Sequence, residues 1–170
     1  QNILYAEWSR DRVQKMVPPL IKKYPDISVF WSASDLMAQG ILDSAKAQGW
    51  LPGKDFVTGG VDWLPESIEL IQTNEMAVSV GFHYVEGAWA LIVLYDYLNG
   101  YDFAETQETT TFDTKMFALT TSNINQFSML REKLTLEHIA RNIDFTMYSK
   151  TYHPEMQEYD FDLEDLLKRL

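Results

Sequence analysis

The sequence has 170 residues, of which 46% are hydrophobic, and a formal net charge of -11 with a pI near 4.6. A chain of this length has room for one domain with a core, and its hydrophobic content excludes a disordered chain by composition. The acidic charge argues against a nucleic-acid backbone or an anionic membrane as partner, and the absence of cysteine excludes disulfides and thiol catalysis.

The first elements along the chain are a short strand and a helix. Residues 2–6 are apolar and predict a strand, and Ser9 is suited to cap the helix that follows to about Lys23. Pro18 and Pro19 fall in the middle of that helix, and proline removes a backbone donor and clashes with the preceding turn. We therefore expect a kink or an early break in the helix.

Residues 28–62 read as strand, helix, strand, and the rest of the chain is organised around them. Residues 28–31 and 56–61 are short buried-type strands, and we expect Trp31 to belong to the core. Between them, Asp35 is suited to cap a helix with apolar residues at helical spacing. Two strands joined by a crossover helix should lie parallel, with ligands bound beyond their carboxyl ends.

A helix, a strand and a second helix follow Asp62. Pro65 stands in the first turn of the first helix, where proline is tolerated, and residues 76–82 predict the next strand. Residues 84–98 form a helix that is apolar nearly all round, which predicts burial on more than one side.

The last third of the chain is predicted to be strands and then helices. Residues 109–112 and 115–121 read as two strands, either a hairpin or two separate additions to the sheet. Residues 126–145 read as one or two helices. Residues 163–170 form a short amphipathic helix capped by Asp162, with basic residues at its C-terminal end.

Polar and aromatic side chains gather where the predicted strands end. The residues expected on this rim are Ser32, Ser34, Asp35, Asp62 and Trp63. Carbohydrate sites need flat apolar surface for the C–H face of a ring and planar polar groups for its hydroxyls, and indole and carboxylate groups provide both. Asp35 and Asp62 are equally suited to cap the helices that follow them, so helix capping and ligand binding both remain open for these residues.

The order of these motifs resembles the second half of type I periplasmic substrate-binding proteins, the ribose- and galactose-binding-like group. The resemblance covers residues 2–125 and is carried by SDLMAQGILDSAKAQGW, PGKDFVTGGVDWLPESIELIQTNEMAVSV and YVEGAWALIVLYDYLNG. It implies an α/β fold, a three-layer sandwich with a mostly parallel sheet, plus a helical C-terminal extension. We therefore divide the chain into a lobe-like part, residues 1–125, and an extension, residues 126–170.

The resemblance also implies a set of ligand-binding residues. Trp8 matches the position of an aromatic ring that lies against the sugar, and Asp62 matches the carboxylate at the Gly-x-Asp strand end. Ser34 stands where the family usually has an asparagine, which shortens the reach and removes two donors, and Asp35 matches the adjacent aspartate. His83, or its neighbour Phe82, falls near a polar contact in a hinge segment. With Trp63 from the rim, the predicted ligand-binding residues are Trp8, Ser34, Asp35, Asp62, Trp63 and His83.

In the family, the ligand is clamped between two lobes, and this chain is expected to begin inside the second one. The helix at residues 84–98 would then pack on the other lobe or be covered by another chain or by the extension, and left uncovered it predicts self-association. With half a clamp, we expect weak or no sugar binding by the chain in isolation.

Catalytic motifs are absent from the sequence. The three histidines lie far apart, and there is no Gly-x-Ser-x-Gly elbow, phosphate loop or dinucleotide fingerprint. The resemblance therefore implies a periplasmic or extracellular binding protein without cofactor or metal, which binds a sugar or polyol and delivers it to the permease of an ABC-type transporter. The alternative is a ligand-sensing domain that reports to a receptor; the effector domain of a sugar-responsive repressor ranks last, because no basic head precedes residue 2.

Overall fold

The computed structural model describes residues 3–102, 114–127, 130–133 and 135–169. The chain divides into two compact units, and each is described by itself. The first unit contains residues 1–81 and 118–128, and the second contains residues 82–117 and 129–170.

The first unit is a four-stranded open sheet with helices packed on it. The strands are β1 (Val29–Trp31), β2 (Val57–Val61), β3 (Val78–Gly81) and β4 (Phe117–Thr120), side by side in that order. β1 and β2 are parallel, as are β2 and β3, which confirms the predicted fold class, a mostly parallel α/β sheet. The helices of this unit are α1 (Arg10–Lys23), α2 (Asp35–Ala47) and α3 (Pro65–Gln72).

Helix α1 runs unbroken through its two prolines, so the predicted early break is wrong. Proline at position 18 has no N–H for the carbonyl of Gln14, one turn earlier. The hydroxyl of Ser44 on α2 donates to that carbonyl at 2.9 Å and replaces the missing helical bond. The capping role predicted for Ser9 is confirmed, since its side chain accepts from the amide of Arg12.

Two other predictions about the first unit are wrong. Residues 3–6 form no strand, and Ile3, Leu4 and Tyr5 are exposed. Trp31 is not a core residue, because it is 59% exposed on β1. A strand needs a neighbour that takes up its backbone hydrogen bonds, and the structure describes none beside residues 3–6.

The second unit is built on α4 (Glu86–Leu98), which a 3₁₀ turn at His83–Val85 precedes. The other helices described in this unit are short: α5 (Leu130–Lys133), α6 (Leu136–Asn142) and α7 (Leu163–Arg169), with a 3₁₀ turn at Phe145–Tyr148. The predicted cap of the last helix is confirmed, because the carboxylate of Asp162 accepts from the amides of Glu164 and Asp165. The strand predicted at residues 109–112 lies outside the described residues.

Helix α4 buries one face against the C-terminal segment and exposes the other. The indole of Trp89 stacks on Phe161, with ring centroids 5.1 Å apart, and meets Tyr148 edge-on. On the opposite face Leu91 is 67% and Leu98 73% exposed. Among the described residues, α4 is therefore covered on one side by the C-terminal segment, and the cover predicted for its other side stays a prediction.

A single aspartate anchors the C-terminal segment to α4. Asp96 is fully buried and accepts hydrogen bonds from Ser149 Oγ at 2.5 Å and from the amide of Lys150 at 2.7 Å. The amide and hydroxyl of Thr151 donate to it at 3.0 and 2.8 Å, and the hydroxyl of Tyr159 donates at 3.0 Å. Polar groups buried without such partners would cost free energy, so this set of bonds fixes the segment in place.

Candidate functional site at the carboxyl ends of the strands

The segments that carry five of the six predicted site residues meet at one edge of the first unit. The backbone of Arg10 on α1 lies against Gly40 on α2, and four residues further along each helix Gln14 contacts Ser44, so the two helices run in the same direction. Both helices therefore begin at the edge where β1 leads into α2. Trp8 lies just before α1, Ser34 just before α2, and Asp62 and Trp63 between β2 and α3.

Trp8 is the most accessible of the predicted residues. Its side chain is 66% exposed, and Trp8 and the preceding Glu7 have φ angles of 60° and 51°. Residues other than glycine seldom occupy this left-handed region, and such strain concentrates at functional sites. An exposed indole at the start of a helix provides the flat apolar surface that a sugar ring requires.

Ser34 rather than Asp35 caps α2, which corrects the prediction from the sequence. Ser34 is buried, has an extended backbone, and accepts a hydrogen bond from the amide of Met37 at 3.3 Å. Asp35 is the first residue of the helix, one position later. Of the two roles left open for Asp62, helix capping is excluded, since α3 is preceded by Leu64 and has no side-chain cap.

The carboxylate of Asp35 is fully buried and holds the turn that follows β2. It accepts from the amide of Leu64 at 2.9 Å and from the hydroxyl of Ser79 at 2.7 and 2.8 Å. Ser79 in turn accepts from the amide of Trp63 at 3.2 Å. Asp35 therefore presents no surface to solvent, and its bonds go to the backbone beside Asp62.

Burial raises the pKa of Asp35 to about 6. The hydrogen bonds from Ser79 and Leu64 favour the ionised form and hold the pKa below what burial alone would produce, whereas the negative charge of Asp62 raises it further. The two carboxylates are therefore close enough to interact electrostatically.

Asp62 and Trp63 adopt an unusual backbone conformation. Their φ angles are 121° and 62°, and each residue of this kind costs on the order of 1–3 kcal/mol unless its surroundings enforce it. The side chain of Asp62 is partly exposed, whereas the indole of Trp63 is buried and donates to the carbonyl of Ser79 at 3.0 Å. Asp62 is thus the carboxylate of the pair that solvent can reach.

Two glycines make this arrangement fit. A Cβ on Gly60 would lie 2.5 Å from the carboxylate oxygen of Asp35, and a Cβ on Gly81 would lie 2.5 Å from the ring of Trp63. Real side chains do not approach this closely, so a side chain at either position would displace Asp35 or Trp63. Glycine leaves the space that these two residues occupy. Sequence reasoning missed Ser79 and Gly81; a serine inside the apolar run of residues 76–82 was the available signal.

The remaining predicted residue, His83, belongs to the second unit and is half-buried in the 3₁₀ turn before α4. Ligand contact by any of the six residues stays a prediction.

A groove of about 390 Å³ lies between α1, α2 and α3 and contains none of the six predicted site residues. It is lined by charged side chains, among them Arg10, Lys46 and Glu69. In the part of the chain that the structure describes, no group of three or more acidic, histidine or cysteine side chains is placed to hold a metal ion.

The described helices do not include one that is both long and apolar enough to cross a membrane.

None of the curated proteins compared with the chain matches it. Solved structures do match. A periplasmic sugar-binding protein from Pseudomonas fluorescens is 31% identical with a TM-score of 0.81, and the match covers 96% of this chain and 48% of that one. It therefore extends well into residues 126–170, for which the resemblance offered no counterpart.

Two more distant structures share the fold. The arabinose-binding component of an ABC transporter from Shewanella sp. ANA-3, bound to L-arabinofuranose, is 21% identical with a TM-score of 0.65, over 75% of this chain and 42% of that one. A solute-binding protein from Bacillus halodurans C-125 with bound myo-inositol is also 21% identical, with a TM-score of 0.59, over 72% of this chain and 40% of that one. The chain spans about half the length of the solved structures that it matches.

The model of the periplasmic binding protein domain family matches residues 1–102, which is more than half of the 170 residues. The chain therefore belongs to the family of periplasmic binding protein domains, in agreement with the resemblance and with the periplasmic localisation predicted from its sequence.

Proposed function

We propose that the chain is part of a solute-binding protein that binds a sugar or related polyol between two lobes and delivers it to an ABC-type transporter. The family assignment supports a binding role. The similar structures from P. fluorescens, Shewanella and B. halodurans are sugar- or solute-binding proteins. This chain would supply one side of the site, and groups outside it would close over the ligand.

The observation that carries this proposal is the pairing of an exposed indole with a partly exposed carboxylate at one edge of the sheet. The ring of Trp8 would lie against the C–H face of the sugar. Asp62 would accept hydrogen bonds from neighbouring hydroxyls, and bonds to a charged acceptor are stronger than those between neutral groups. Neither group needs a cationic ligand, and a polyol satisfies both.

Calorimetric titration of the protein expressed from its complete gene tests this proposal. The ligands are L-arabinose, D-ribose, D-galactose and myo-inositol, with L-leucine and spermidine as control solutes. Spermidine is included because the chain has a net charge of -11 and could attract a polyamine without any built site. We expect saturable binding of at least one sugar or cyclitol and none of leucine. Binding of spermidine alone, or of no solute in the panel, would contradict the proposal.

A further inference from the structure

The turn after β2 cannot hold its shape by itself. Asp62 and Trp63 are consecutive residues with positive φ angles, 121° and 62°, and neither is glycine. Left alone, such a segment would relax to negative φ angles and carry the side chain of Asp62 with it. Something outside the turn must therefore hold it.

The groups that hold the turn come from two other elements. The amides of Trp63 and Leu64 are consecutive donors in the turn, and each finds one buried acceptor. The Trp63 amide donates to the hydroxyl of Ser79 on β3, and the Leu64 amide donates to the carboxylate of Asp35 on α2. Because the hydroxyl of Ser79 donates its own hydrogen bond to Asp35, a single carboxylate holds both amides, one directly and one through the hydroxyl.

The sheet is shaped to admit this carboxylate. Gly60 on β2 and Ser79 on β3 are partners in the parallel register. The position of Gly60 lies against Asp35, where a Cβ would come within 2.5 Å of the carboxylate oxygen and within 2.9 Å of its Cα. Three elements, α2, β2 and β3, therefore combine to place one buried acceptor beneath the turn.

We propose that Asp35, acting through Ser79, is a positioning residue that fixes Asp62 for ligand binding and does not itself touch the ligand. The proposal rests on the proposed function in one respect, the role of Asp62 at the sugar. The hydroxyls of a polyol lie at fixed angles on its ring, so a carboxylate that must accept from them gains affinity when its backbone is held before binding. The buried carboxylate thus acts on the exposed one through the backbone between residues 62 and 64.

The test replaces Ser79 with alanine and follows the backbone amides. In the Ser79→Ala protein, hydrogen exchange at the amides of Trp63 and Leu64 should speed up by about tenfold or more, while amides of α3 such as Ile71 change little. Ser44→Ala is the matched control, because Ser44 is also a buried serine, but its hydroxyl donates to the carbonyl of Gln14, away from the turn. It should leave exchange at Trp63 and Leu64 unchanged.

Ligand affinity is the second readout. With L-arabinose and the other sugars of the panel as probes, Ser79→Ala should weaken binding by about tenfold or more, and Ser44→Ala by less than about threefold. Faster exchange with unchanged affinity would overturn the proposal, as would unchanged exchange at Trp63 and Leu64. If the unaltered protein binds no sugar, the proposed function fails, whereas the exchange result still decides whether Asp35 and Ser79 hold the turn.

A pH titration of the unaltered protein tests the proposal even if the Ser79→Ala protein does not fold. Burial, together with the negative charge of Asp62, raises the pKa of Asp35 to about 6. The amide resonances of Trp63 and Leu64 should therefore shift together with a midpoint near that pH, while the resonance of Met37, which bonds to Ser34, should shift far less. Flat titration curves for both turn amides would count against the proposal.

Discussion

Among the described residues, each unit of the chain contains one fully buried aspartate, and the surroundings of the two shift their pKa values in opposite directions. Asp96 in the second unit accepts from the hydroxyls of Ser149, Thr151 and Tyr159 and from two backbone amides. Asp35 in the first unit accepts from the hydroxyls of Ser79 and Ser67 and from the amide of Leu64. Burial alone would raise both pKa values, but the larger set of donors lowers the pKa of Asp96, whereas that of Asp35 stays raised at about 6.

The difference shows that the pKa of an aspartate with no exposed surface depends on its hydrogen-bond donors and on neighbouring charges as well as on burial. Asp96 is a well-satisfied anchor that ties the C-terminal segment to α4. Asp35 has fewer donors and a neighbouring negative charge, that of Asp62, which a residue selected for stability alone would avoid. This pattern is expected at a functional site, where a side chain is held in the position that its function requires although this lowers the stability of the fold.

Removal of Asp96 should have the largest effect on stability. Asp96→Ala leaves the buried donors of Ser149, Lys150, Thr151 and Tyr159 without their shared acceptor. We expect a loss of about 3–5 kcal/mol in the free energy of unfolding, measured with urea. Asp160→Ala, at an exposed position of the same segment, is the control and should cost less than about 0.5 kcal/mol. A small loss for Asp96→Ala would show that aromatic packing rather than the carboxylate holds the segment.

The pH dependence of stability should have opposite signs for the two aspartates. The folded pKa of Asp35 is raised, so its contribution is fully present below its unfolded pKa of 3.8 and is lost as the pH rises through about 6. The shift corresponds to about 3 kcal/mol. The folded pKa of Asp96 is lowered, so its contribution is present above 3.8 and is lost as the pH falls.

Urea unfolding between about pH 4 and pH 7 measures this difference for Asp35. Over that range the unaltered protein should lose about 2–3 kcal/mol relative to Asp35→Asn, which has no carboxylate to ionise. If the curve of Asp35→Asn runs parallel to that of the unaltered protein, Asp35 ionises as freely when folded as when unfolded, which would contradict this prediction.

Gly81→Ala should disturb the turn near Asp35 from its other side. The new Cβ would meet the ring of Trp63 at 2.5 Å and push the indole from its site, at a cost of about 1–3 kcal/mol. Gly87→Ala is the control, because a Cβ there has open space and alanine favours a helix, so stability should rise by about 0.5–1 kcal/mol. Thermal unfolding and tryptophan fluorescence measure both. Equal melting temperatures for the two variants would contradict the close packing of Trp63 on Gly81.

Trp8→Ala should change stability least, because its side chain is mostly exposed. We expect a change within about 0.5 kcal/mol, together with a loss of sugar affinity of about tenfold or more. Trp31→Ala removes another exposed indole of the same unit that is not among the predicted site residues. It should leave the affinity unchanged, and equal losses for the two variants would contradict a specific role for Trp8.

Local patterns in the sequence predicted most of the elements but not what holds the site. Helix α2, the proline at the start of α3, and the caps at Ser9 and Asp162 depend on residues within one turn of each other, and all are confirmed. The order of strand, helix and strand, with its parallel pairing, follows from the same short patterns.

The contacts of Asp35 could not be predicted in this way. Its partners Leu64 and Ser79 lie 29 and 44 residues further along the chain, and no local pattern links them. The shift of the cap from Asp35 to Ser34 has the same origin, since the tertiary bonds occupy the carboxylate that local preference would assign to the helix end. The strand predicted at residues 2–6 failed for a related reason, because strands depend on neighbours that their own sequence does not reveal.

A crystal structure of the protein expressed from its complete gene, soaked with the sugar that binds best in the calorimetric panel, tests the central claim most directly. The account predicts the sugar ring against the indole of Trp8, with hydroxyls donating to Asp62 and no contact with the buried carboxylate of Asp35. A sugar bound in the charged groove beside Arg10 and Lys46, away from both Trp8 and Asp62, would contradict it.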